Sequence, residues 1–135
     1  MANYYATART NYFRVNDVEG LRAILPSGIK LHTRTHLETE TEFVCLLDEA
    51  GDGWPGYIWN EEGECEEEFD WVERVAPFLL DDEVAIFMEA GNEKLRYISA
   101  YAFAFNNKGE TKTTSISDIY RKARKLGNNI TAAEY

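Results

Sequence analysis

The sequence predicts an α+β fold, a mostly antiparallel sheet carrying two to three helices, and three observations predict it. Segments of alternating hydrophobicity and segments of helical spacing succeed one another in the order strand, helix, strand, strand, helix, strand, strand, strand, helix. The last three strands read as a meander, with turn signals near Gly91-Asn92 and from Asn106 to Gly109. At 135 residues, 44% of them hydrophobic and 13% aromatic, the chain is one domain able to bury its own core. No repeat or linker divides it, so the domain is expected over residues 1–127, with 128–135 as a loose tail.

"NYYATARTNYFRV" is rich in Tyr, Thr, Phe and Val and reads as a strand with Tyr5, Thr7, Arg9, Asn11, Phe13 and Val15 on one face. In "NDVEGLRAILPSG", Asn16 or Asp17 caps a short helix that turns Val18, Leu21, Ile24 and Leu25 inward and ends at Pro26-Ser27-Gly28. "IKLHTRTHLETETEFVCLL" gives two strands parted by the polar "ETETE", and "DEAGDGWPG" is a turn leading to the short strand "YIW". From Glu66 to Leu80 the spacing predicts a helix, with Phe69, Val72, Ala76 and Leu79 on one face and Trp71, Val75 and Phe78 beside it. Pro77 should kink or restart that helix, because it lacks a backbone donor.

The middle strand of the meander has two unlike faces: Ile98, Ala100, Ala102 and Ala104 on one, Tyr97, Ser99, Tyr101, Phe103 and Phe105 on the other. The small side chains are expected to admit helices, which leaves the aromatic face to other cover or to a partner. A last helix is expected from "SISD", capped by Ser115 or Ser117, with Ile119, Ala123 and Leu126 inward and a stop at Gly127. Its Arg121, Lys122, Arg124 and Lys125 lie at the C-terminal end, where the helix dipole favours cations. This order of elements is that of a ferredoxin-like arrangement with an extra hairpin and a C-terminal helix.

Charge is unevenly spread. The net charge is −10, yet residues 1–34 carry +3, residues 35–74 carry −13 and residues 75–135 carry none overall. A field of that sign repels nucleic acid and acidic membranes and attracts basic surfaces, so direct nucleic-acid and membrane contacts are not expected. No apolar run approaches the roughly 18 residues of a membrane span, and the opening residues show no leader pattern, so a cytoplasmic location is expected. Cys45 and Cys65 have no motif spacing and are expected to be free thiols.

No catalytic motif is present: there is no phosphate-binding glycine loop, serine elbow or two-cysteine knuckle. His32 and His36 in "HTRTH" share a face but stand about 13 Å apart along a strand, with no third ligand signalled, so neither metal nor cofactor is expected. "DEAGDG" lacks the ligand order of a calcium loop.

What stands out is "EEGECEEEFDWVE", eight carboxylates between Glu61 and Glu73. One reading is structural, with Glu66, Glu67, Glu68 and Asp70 placing negative charge at a helix N-terminus. It leaves unexplained the acids outside the helix start. The other reading is a stripe that imitates nucleic-acid phosphates toward a basic protein surface, formed by Glu61, Glu62, Glu64, Glu66, Glu67, Glu68 and Asp70 and anchored by Trp59 and Trp71. An alternative is a small-ligand or nucleotide site on the aromatic sheet face of Tyr97, Tyr101, Phe103 and Phe105.

"MANYYATARTNYFRV", "EAGNEKLRY" and the ending "ITAAEY" resemble a family of small proteins carried by phages and integrative mobile elements of Gram-positive bacteria. The likeness covers both ends of the chain and leaves the acidic middle least constrained. In its order of elements the chain is also loosely similar to phage and plasmid proteins with a ferredoxin-like domain of the Api92 type. Neither family brings a catalytic motif to carry over. The resemblance implies a mobile-element setting, where small acidic proteins act as DNA mimics against CRISPR or restriction nucleases. It singles out Arg9, Asn11, Arg14, Glu89, Glu93, Lys94, Arg96 and Tyr97 as polar residues of a separate site or a structural network.

Overall fold

The computed structural model describes residues 4–59, 62, 65–94 and 96–133, with residues 58, 59, 65 and 66 described by backbone alone. β1 (Tyr4–Thr10) buries Ala8 and Thr10 and exposes Tyr5, Thr7 and Arg9. The alternation stops there. Phe13, expected on the Tyr5 side, is fully buried and bridges Val44. The Thr10 hydroxyl accepts the Leu46 amide at 2.9 Å, so a side chain stands where a ladder carbonyl would, and the register shifts.

α1 (Val18–Ile24) starts where Asp17 accepts the Gly20 amide, and it buries Leu21. Gly28, at φ 92, turns the chain into β2 (Ile29–His36), a conformation in which a Cβ would be strained. β2 pairs antiparallel with β3 (Thr41–Asp48) along its full length.

The acidic run departs from its expected helix. β4 (Tyr57–Trp59) and β5 (Cys65–Glu68) pair as a separate two-stranded sheet, so Glu66–Glu68 are strand. Three consecutive glutamates and their aromatic neighbours have the same spacing in either structure, and pairing with β4 decides it. Helix begins only after Asp70, whose carboxylate accepts the Val72 and Glu73 amides, and α2 spans Trp71–Val75. A 3-10 turn, Ala76–Phe78, takes over at Pro77, which is the restart that proline imposes.

β6 (Ala85–Glu93) and β7 (Tyr97–Phe105) form a hairpin, and β8 (Thr111–Ser115) follows after the Asn106–Gly109 turn. Gly91 and Asn92 lie inside β6, not in the turn. Gly91 is there because the backbone is approached closely: a Cβ would lie 2.6 Å from the Tyr5 carbonyl oxygen. α3 (Asp118–Ala123) comes last.

The six-stranded sheet has the order β2-β3-β1-β6-β7-β8, each strand antiparallel to its neighbours. Its first four strands have the ferredoxin-like order, and β7, β8 and α3 extend it. Leu21, Trp71, Val75 and Ala76 from the helical segments share one core with Val44, Leu46, Phe87 and Phe105 from the sheet. The helices therefore cover the aromatic side of β7, opposite to the alanine side expected to receive them. Burying large rings removes far more apolar surface from water than burying methyl groups. With that side filled, α3 buries no residue, and Ile119 and Leu126, expected inward, are 56% and 93% exposed. No helix among the described residues is long and apolar enough to cross a membrane.

Candidate functional site

The acidic hairpin is anchored from below. Phe69 and Trp71, which follow β5, are buried, and their rings meet edge-on at 4.7 Å. The Trp71 indole donates to the Pro55 carbonyl at 2.9 Å and packs against Trp54 and Phe87. Trp71 is thus a core residue whose surface is taken up inside the molecule. Above it, Glu62, Glu67, Glu68, Asp70 and Glu73 are exposed. Some of these have internal roles as well: Glu67 lies 2.8 Å from Arg74, and Asp70 caps α2. Glu61 and Glu64 lie outside the described residues, as do the side chains of Trp59 and Glu66.

The aromatic face of β7 is occupied. Phe105 is buried, Phe103 stacks on Phe87 at 4.9 Å, and Tyr101, Phe103 and Phe105 form a stacked row. Tyr97 and Tyr101 are half-buried. What remains open beside them is a shallow depression of about 430 Å³ where Tyr101 and Phe103 meet Val72, Thr113 and Asp118.

Next to it sits a carboxylate that the sequence offered only as one polar residue among several. Glu89 is 8% exposed on β6 and accepts three hydrogen bonds: from the Trp54 amide at 2.6 Å, the Tyr4 hydroxyl at 2.8 Å and the Tyr101 hydroxyl at 3.0 Å. The loop supplying the Trp54 amide is wrapped around Asp48, which accepts the Ala50, Gly51 and Gly53 amides. Burial and the bond to Glu89 push the Tyr4 hydroxyl up to about 12, and burial with the same carboxylate raises Tyr101. Both phenols stay protonated donors near neutral pH. Every lone pair in use on Glu89 faces an internal donor, so the cluster ties β1, β6, β7 and the loop together.

The opposite side of the sheet receives neither α1 nor α2. Tyr5, Met88, Ile98 and Ile116 are 66%, 52%, 64% and 46% exposed there. Ala90, Ala100 and Ala102 floor a shallow groove of about 510 Å³ with Arg9 at its edge. The basic residues of this side, Arg9, Lys30, Arg34 and Lys112, were not collected from the sequence because three distant segments supply them. Their one local signal is the succession Lys30, His32, Arg34, His36 at alternate positions of β2. His32 and His36 are both exposed, and among the described residues no three His, Cys, Asp or Glu side chains are placed to hold a metal ion.

Comparison of the chain with protein-family models, with curated proteins and with solved structures gives no match.

Proposed function

We propose that the chain is a non-catalytic binding protein that engages a basic protein surface through the β4–β5 hairpin and the first turn of α2. The observation that carries this reading is the hairpin itself: exposed Glu67 and Glu68 stand on a small sheet apart from the main one, with exposed Glu62 in the turn between its strands and Asp70 and Glu73 at the start of α2. Phe69 and Trp71 fix its base in the core. An acidic surface held on a rigid base loses little freedom on binding, which favours affinity. The resemblance to mobile-element proteins supports a nucleic-acid-binding defence nuclease as the partner, with the carboxylates taking the place of phosphates.

A salt-dependent pull-down from a Gram-positive host lysate tests this, comparing the native chain with a Glu68→Lys/Glu73→Lys variant of equal melting temperature. The expected result is a nucleic-acid-binding protein retained at low salt, released by added salt and lost with the variant. The same partner held equally by the variant would sink the proposal.

A further inference from the structure

Residues directly opposite one another in paired strands project to the same side. The pairs Lys30↔Leu47, Leu47↔Arg9, Arg9↔Met88, Met88↔Ala102 and Ala102↔Thr114 therefore form one row across all six strands. At the usual strand spacing that row is about 24 Å long, on the side away from α1 and α2. On the same side β2 adds His32, Arg34 and His36, and β8 adds Lys112. No strand contributes a carboxylate to it. Glu49, in the loop after β3, lies 3.6 Å from His32.

A cationic face on a chain of net charge −10 is a segregation of charge, with the acidic hairpin packed on the other side of the sheet. Layers pack about 10 Å apart, and at physiological salt the screening length is about 8 Å. The face is thus governed by its own cations more than by the total. Arg9 and Arg34 both lie over the Tyr12 ring, at 5.9 and 5.6 Å, and neither has a carboxylate partner among the described residues.

We propose that this bare face binds single-stranded nucleic acid, with phosphates on Arg9, Lys30 and Arg34 and bases over the alanine-floored groove and Tyr5. This goes beyond the hairpin reading and does not depend on it. Charge complementarity sets the sign of the ligand, and the groove sets its form. An open, shallow trough encloses too little of a small molecule to hold it, whereas a polymer gains contact along its length. Alanines let a planar ring lie flat against the sheet, and exposed tyrosine and guanidinium planes are surfaces on which unpaired bases stack. A duplex keeps its bases inside and has nothing to lay in the groove.

Fluorescence anisotropy of labelled oligo(dT) and oligo(U) of about twelve nucleotides tests the proposal. Expected is saturable binding at low salt, with log K falling against log salt at a slope of about −2 for three phosphates on a single strand. The Arg9→Ala/Lys30→Ala/Arg34→Ala variant, changed only at exposed positions, should weaken binding at least tenfold and flatten that slope. Ala102→Gln, which adds bulk without charge, should weaken it through the groove alone, at an unchanged melting temperature and salt slope. The hairpin variant Glu68→Lys/Glu73→Lys should retain oligonucleotide binding, which separates this proposal from the previous one. Absence of binding at 100 µM protein would overturn it, as would equal affinity in the triple variant or equal affinity for a duplex. Displacement by poly-glutamate at matched charge would reassign the face to acidic polypeptides and overturn it too.

Discussion

Phe87 and Met88 are neighbours in β6, yet Phe87 is wholly buried while Met88 is 52% exposed. Phe87 points to the side where α1, α2 and Trp54 gather, and it touches the rings of Trp54, Trp71, Phe103 and Phe105. Met88 points to the side that carries Arg9 and the alanines. The difference shows how one alternating strand can serve two ends: its ring Phe87 holds the domain together, while Met88 and Ala90 stay on the exposed side beside Arg9 of β1. The packed core and the exposed cations are thereby placed on opposite sides of one sheet.

The largest expected effect comes from breaking this contrast in β6 itself. Phe87→Ala should cost about 3–5 kcal/mol in urea unfolding, as ring deletions in filled cores do. Met88→Ala should change stability by only about 0.5 kcal/mol, as exposed positions do. A similar loss from both would mean that the second side is covered as well.

Next in size is the carboxylate cluster. Glu89→Gln replaces an ionised acceptor of three donors and should cost about 1.5–3 kcal/mol. Gly53→Ala should reach a comparable loss by another route. Gly53 has φ 88, and a Cβ on it would lie 2.5 Å from the Glu89 carboxylate oxygen. Thermal melts of the two single variants and the double variant should show less than additive losses, since both act on one contact.

Alkaline titration sharpens the same point. A tyrosine whose folded pKa is raised stabilises the fold fully below its ordinary value of 10, and that contribution is lost as pH climbs toward 12. Tyr101 is shifted in the same direction. Chemical unfolding between pH 9 and 12 should therefore show stability falling with pH, and Tyr4→Phe should make the fall shallower. An unchanged slope in that variant would place the titrating group elsewhere.

The smallest effect separates the two roles of an acidic residue. Asp70→Ala should cost about 1 kcal/mol by uncapping α2, and Asp70→Asn much less, because an amide oxygen caps nearly as well. If Asp70→Asn keeps the melting temperature and still weakens retention of the basic partner, the charge acts outward. If it changes neither, Asp70 is a cap alone.

Much of the fold was legible in the sequence. The alternation in "YISAYAFAF", the Asp17 cap ahead of Val18 and the stop at Pro26–Gly28 are local signals, and the fold keeps them. The acidic hairpin was not legible, because glutamates before a helix look alike in strand and helix until a pairing partner is known. Nor was the choice of side for the helices, which depends on what α1 and α2 meet after folding. The candidate site was only partly legible. The Glu61–Glu73 run is contiguous and plain, but Trp71 belongs to the core. Glu89 finds its Trp54 partner 35 residues away, and Arg9, Lys30 and Lys112 are brought to one side only by the sheet.

The Thr10 hydroxyl that stands in for a ladder carbonyl has a mechanical consequence. β1 and β6 share seven register pairs, from Tyr4↔Glu93 to Thr10↔Phe87, whereas β1 and β3 share the one pair Arg9↔Leu47 and lean on the Phe13↔Val44 bridge. The sheet thus has a seam in its hydrogen bonding, and the β2–β3 hairpin beyond it, held mainly by Ile29, Val44 and Leu46 in the core, is expected to open ahead of the central strands. In native-state hydrogen exchange the amides of residues 29–48 should lose protection together and ahead of β6 and β7. Lys30 and Arg34 ride on the part that opens, so a ligand spanning Arg9 and Arg34 would act as a stitch across the seam.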